Sequence, residues 1–159
     1  MQTPLPEYEI YAIRYATREA ARRDNFIGGD PHDGPMPMDY YAWVALGRNG
    51  AYVIDTGFTA EMARARKRTF LRCPVDSLAL LGVEAGAVRD VVLTHMHYDH
   101  VGNFHKFPNA RFHLQEREMA YATGKYMRCS AAVCVRTGTM LKVGASTRKI
   151  SSAGNPAAC

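Results

Sequence analysis

An α/β fold is what this 159-residue sequence predicts, and three observations carry the prediction. Side chains alternate along Tyr8 to Tyr15, the pattern of a strand. Two apolar segments, Tyr40 to Leu46 and Ala51 to Ile54, are joined through Gly47-Arg48-Asn49-Gly50, and Asn-Gly is a strong hairpin signal. Helical stretches with their own start and stop residues then separate this hairpin from two further short strands, Arg89 to Leu93 and Ala110 to Leu114. With 47% hydrophobic and 22% charged residues, the chain can bury one real core.

Taken in order, the first strand is followed by a long loop, residues 17 to 38. It opens with charges (Arg18, Glu19, Arg22, Arg23, Asp24) and closes with turn formers from Gly28 to Pro37. A loop of that length in a compact domain is often functional. His32 lies in it, and a lone loop histidine is more often solvated than a ligand. The hairpin ends in Asp55-Thr56-Gly57. An Asp at a strand end before a glycine turn either caps the turn or accepts the free ring N–H of a nearby ligand histidine. Thr59 can cap a helix running from Ala60 to about Leu71, with Met62, Ala63 and Phe70 on one side. Arg64, Arg66, Lys67 and Arg68 make a basic patch there. No aromatic stacking platform is interleaved with it, so a solvated face is preferred to a nucleic-acid surface. Pro74 to Leu81 reads as a short helix stopped by Gly82. Phe104 to Pro108 closes the next loop. His105 is less well placed for ligation, and His113 in the last strand reads as packing or surface. Gln115 to Ala122 is helical, with Glu116 and Glu118 near the favourable N-terminus.

The chemistry is concentrated directly after the strand Arg89 to Leu93, in Thr94-His95-Met96-His97-Tyr98-Asp99-His100-Val101-Gly102-Asn103. His95 and His97 are two apart, so in an extended segment both imidazoles point the same way. Two nitrogens converging on one point suit zinc or a similar ion. Asp99 and His100 follow after the chain turns and can face a second ion, with Asp99 also the candidate catalytic residue. The chain has six histidines, which makes three of them at this spacing a rare coincidence for solvated polar residues.

The same text resembles the signature of the metallo-β-lactamase superfamily, and Tyr98 and Asn103 bring it nearest the N-acyl-homoserine lactonase branch. The likeness extends upstream to Asp55-Thr56-Gly57, and downstream from Phe107 through Glu118, covering about residues 7 to 128. It implies a metallo-β-lactamase-like αβ/βα sandwich, N-terminal half only, a mixed sheet with helices on its outer face. It implies two zinc ions held by His95, His97, Asp99 and His100, with Asp55 behind them. The implied reaction is opening of a lactone ring by a metal-activated hydroxide. A thioester or other ester substrate within the same superfamily is the alternative; the superfamily includes nucleases, but no nucleic-acid partner is expected here.

The resemblance stops near Arg128. Residues 129–159 are basic and unlike the family, and no His, Asp or Glu follows Glu118. Six Lys and Arg lie beyond residue 118, leaving 14 basic against 15 acidic residues before it, a net −1. The expectation is a partial domain over 1–128 and a disordered tail or weak hairpin over 129–159 (Ala131 to Val135 with Met140 to Val143). A reading-frame change near residue 128 would explain it, and the gene sequence tests that. The family's later ligands are then missing, so the chain as written is expected to be inactive, or to be a non-catalytic fragment that self-associates through an uncovered sheet face. Cys129 and Cys134 substitute as ligands only if folding brings them to the loop. Cys73, Cys129, Cys134 and Cys159 form no Cys-x-x-Cys pair and read as free thiols. No apolar run approaches a membrane span and no secretory signal opens the chain, so a cytoplasmic protein without membrane partners is expected.

Overall fold

A computed structural model describes residues 5–124 and 148–149. Among these residues seven strands form one mixed sheet: β1 (Tyr8–Arg18), β2 (Met38–Gly47), β3 (Gly50–Ile54), β4 (Thr69–Phe70), β5 (Asp90–Val92), β6 (Arg111–His113) and β7 (Arg148–Lys149), in the order β4-β1-β2-β3-β5-β6-β7. The expected hairpin is β2 and β3, with Gly47 opposite Gly50. β3, β5 and β6 run parallel, and β4, β1, β2 and β7 pair antiparallel to their neighbours. The expected mixed sheet and α/β class are therefore present. The tail hairpin falls outside the described residues.

Register sorts the side chains into two faces. Tyr11, Val44, Val53, Val91 and Phe112 align across five strands, and the last four are buried. Leu78, from a six-residue 3-10 turn (Asp76–Leu81) capped by left-handed Gly82, and Val75 just before that turn pack on this face with Val88, Phe107 and Ala122. The other face carries Ile10, Tyr41, Trp43 and Tyr52, all exposed, with Ile10 at 61%. Apolar rows on both faces are the mark of a sheet built to be covered twice, and this one is covered once by the described residues.

Three expectations need correction. β1 does not stop at Tyr15 but runs to Arg18, so the long loop begins later. A bulge between Arg14 and Ala16 is the reason: it turns Tyr15 and Ala16 inward together and leaves both fully buried. The loop is tied internally by Arg22–Asp30 and Arg23–Asp33 ion pairs. The helix after Thr59, α1, spans only Ala60–Ala65. Thr59 Oγ1 does cap it, accepting from Met62 N. It ends because Lys67 takes a left-handed conformation (φ 53°), letting Arg68 N reach back to Ala63 O at 2.8 Å. That role usually falls to glycine. The chain released there supplies Thr69 and Phe70 to the edge of β1, and Phe70 joins Phe58 in a second core with Tyr15, Tyr40 and Ala63. The segment after Pro74 is a 3-10 turn rather than an α-helix. The last described helix (Glu116–Ala122), preceded by α2 (Tyr98–Val101), is α3.

Candidate metal centre

The His-rich loop leaves the C-terminal end of β5 beside the C-terminal end of β3, the side of a parallel sheet where ligand sites form. Asp55, the residue after β3, is the key. Its backbone is left-handed (φ 61°), an uncommon conformation that Asp tolerates better than most residues. Its N–H donates to Val92 O and its side chain is almost fully buried. The carboxylate accepts from Thr94 N at 2.8 Å, from Thr94 Oγ1 at 2.8 Å and from His100 Nδ1 at 2.7 Å.

Those contacts fix the ring tautomers. An ionised carboxylate only accepts, so His100 Nδ1 carries a proton and its Nε2 is left bare in the neutral ring. Thr94 Oγ1 has given its one proton to Asp55, so at 3.0 Å from His95 Nδ1 it accepts, and His95 Nε2 is left bare as well. Burial works against a charged His100, yet the Asp55 hydrogen bond and the charges of Asp55 and Asp99 outweigh it and raise its pKa. His95 moves the other way, lowered by burial first and then by His100 and His97.

His95 Nε2 lies 3.1 Å from His97 Nδ1. Two ring nitrogens at that distance share either one proton or one cation. Nitrogens bonded to one tetrahedral zinc would stand about 3.3 Å apart, so the pair fits such an ion. Asp99 Oδ2 is 3.7 Å from His100 Nε2, and both side chains are about a quarter exposed (22% and 24%). The structure thus brings all five sequence-predicted residues, Asp55, His95, His97, Asp99 and His100, to one place. The His95 ring stands between those of His97 and His100, with centroids 4.6 and 3.8 Å away, yet among the described residues no three His, Cys, Asp or Glu side chains form a set for one ion. His32 is exposed and its N–H is bonded to Asp30. His113 pairs with Asp90 at 2.8 Å.

Several supports had no signal of their own in the sequence. Tyr15, turned inward by the bulge, donates from its hydroxyl to Asp99 O at 2.8 Å, a contact spanning 84 residues. Burial first, then the Asp99 charge, raises its phenol pKa. Thr56 donates from N and Oγ1 to His100 O and accepts at Oγ1 from Asn103 N, and Asn103 Nδ2 donates to Thr56 O and Phe58 O. The basic patch is partly drawn in, with the Arg66 guanidinium 3.8 Å over the Tyr98 ring.

The sequence pattern of the Metallo-beta-lactamase superfamily matches residues 36–123, more than half of the chain. The chain belongs to the metallo-β-lactamase superfamily. A superfamily relative, the N-acyl homoserine lactonase AttM of Rhizobium johnstonii, is 44% identical over 48 residues, 30% of this chain and 18% of that protein. The fold is similar to the crystal structure of a quorum-quenching N-acyl homoserine lactone lactonase (TM-score 0.62, 16% identity, 78% of this chain and 52% of that one). It is also similar to AidC, a dizinc quorum-quenching lactonase (TM-score 0.55, 18% identity, 76% and 49%). This superfamily chain therefore spans about half the length of the solved structures it matches. No described helix is long and apolar enough to cross a membrane.

Proposed function

We propose that this chain carries part of the centre of a metal-dependent hydrolase whose substrate is an ester-like ring, an N-acyl-homoserine lactone. One observation carries the reading: His95 Nε2 and His97 Nδ1 meet at 3.1 Å, beside a His100 held by Asp55, in a chain of this superfamily. His95 and His97 would hold one zinc ion, and Asp99 and His100 a second. Ions bound there would supply Lewis acidity for a carbonyl and an acidified water. The chain's own part is positional. Asp55 and Thr94 keep two Nε2 atoms bare, Tyr15 holds the first turn of α2, and the Asp99 carboxylate stands where it can take a proton. The lactonase relatives favour a lactone over a thioester or an acyclic ester.

Among the described residues two donors per ion are available, fewer than the three or four of stable zinc sites. The 159-residue chain by itself is therefore expected to bind zinc weakly and to open lactone at background. The assay is ring opening with added zinc over a panel of lactone, thioester and aryl ester, beside His97→Ala. Lactone turnover above that control would show that the chain assembles a working site alone and overturn the donor count. Faster thioester cleavage would move the substrate class.

A second reading is favoured by the exposed row Ile10, Tyr41, Trp43 and Tyr52. An apolar sheet face of that kind promotes association, so the chain would act as a self-associating, non-catalytic fragment. Light scattering on Trp43→Lys against the parent tests it. A clean parent monomer with exchange protection across residues 8 to 118 counts against it.

A further inference from the structure

The His-x-His pair is fixed to the protein at a point the tautomer relay does not reach. Met96 stands between His95 and His97 and is 2% exposed. Its backbone N–H donates to Glu118 Oε1 at 2.9 Å. Glu118 lies in the first turn of α3 and is half-buried, whereas its neighbours Glu116 and Arg117 are exposed. The loop is therefore held at two amides by two carboxylates, Thr94 N by Asp55 and Met96 N by Glu118. Rotation of the peptide between His95 and Met96 would swing one imidazole relative to the other. A charge-assisted bond to a buried amide resists that rotation, and without an acceptor the Met96 N–H is left unsatisfied.

We propose that Glu118 is a positioning residue that sets the spacing of the His95 and His97 imidazoles; its effect on a metal rests on the reading given under Proposed function. The carboxylate touches neither ring. It acts through the main chain, and what it must supply is an acceptor oxygen at the right reach.

The test compares Glu118→Ala, Glu118→Gln and the exposed control Glu116→Ala in the full chain. The readouts are amide exchange at Met96, the ¹⁵N shifts of the two imidazoles, and titration with cobalt(II) alone followed by its visible absorbance. Glu118→Ala is expected to lose Met96 protection while Val91 in β5 keeps its own, to shift both imidazoles, and to weaken cobalt binding about 10-fold or more. Glu118→Gln, which keeps an acceptor, is expected to recover most of each, and Glu116→Ala to change none. If Glu118→Ala does not fold, Glu118→Asp, one methylene shorter, takes its place with the same expectation. Unchanged Met96 exchange and imidazole shifts in the Ala variant would overturn the proposal, as would an equal loss in Ala and Gln. A parent chain that binds no cobalt, yet loses Met96 protection and shifts its imidazoles in the Ala variant, would refute the metal reading and uphold the positioning role.

Discussion

Replacing Asp55 by Asn keeps the shape of the side chain and removes its charge. In the parent, three hydrogen bonds of 2.7 to 2.8 Å end on this carboxylate. Bonds to a charged acceptor contribute about 1.5 to 3 kcal/mol each, against about 1 for neutral ones. Asn retains the bond from Thr94 N through its oxygen, in neutral form. Its NH₂ group then faces Thr94 Oγ1 and His100 Nδ1, so both must accept. Weakening of all three bonds is offset in part because Asn carries no charge to desolvate at a site only 4% exposed. The net destabilisation expected is about 1 to 3 kcal/mol in urea unfolding. The sharper consequence is chemical. His100 Nδ1 must now present a lone pair, which moves the proton to Nε2. Imidazole ¹⁵N shifts, recorded at a pH where His100 is neutral, distinguish the two tautomers. The parent should show Nδ1–H and the Asn variant Nε2–H, with metal affinity lower by about 10- to 100-fold. An Asn variant that keeps the Nδ1–H form at parental stability would refute the hydrogen-bond reasoning.

Gly102→Ala should cost stability, because the added Cβ would lie 2.7 Å from both Gly57 O and Phe58 Cα, backbone atoms with no flexible end to move. The cost is about 1 to 3 kcal/mol of overpacking, against a gain of about 0.4 to 1 from the stiffer unfolded chain. Gly86→Ala, with nothing within 4 Å of its Cβ, is the near-neutral control in the same urea series. At Asp90, burial would raise the carboxyl pKa, but hydrogen bonds and charge from His113 and Arg111 hold it below the usual carboxylate value. A lowered folded pKa stabilises above the unfolded value, about pH 4, and that stability is lost as pH falls through the folded pKa. Asp90→Asn should therefore flatten the acid limb of the stability curve. Parallel acid limbs in the two proteins would count against the pairing.

Local signals in the sequence were enough for the hairpin, because Asn49-Gly50 can turn in few ways, and for the clustering of the candidate donors, because they are adjacent in the chain. Asp55 before its glycine turn read equally as a turn cap, and it was the resemblance of Asp55-Thr56-Gly57 that brought it into view beside the histidines. The end of α1 was not legible. Lys67 takes a backbone conformation normally signalled by glycine, and the two-residue β4 that it releases is too short to carry a pattern. Nor was the bulge at Tyr15, whose alternation reads as unbroken until packing against Phe58 turns it inward. Glu118 looked like a helix-dipole residue, because its partner amide is a main-chain group that no side-chain motif can announce.

The parallel pairing of β3 with β5 has a consequence for folding kinetics. Tyr52 lies opposite Asp90, and Asp55 meets Thr94 across 39 residues, while Tyr15 meets Asp99 across 84. Such contacts close only after a large entropic cost is met, and they are slow compared with a hairpin such as β2–β3. Thr94, His95 and His100 are near neighbours in the unfolded chain, but the relay that orients the two rings exists only once β5 has docked beside β3. The donors are therefore present early in folding, and their arrangement comes late.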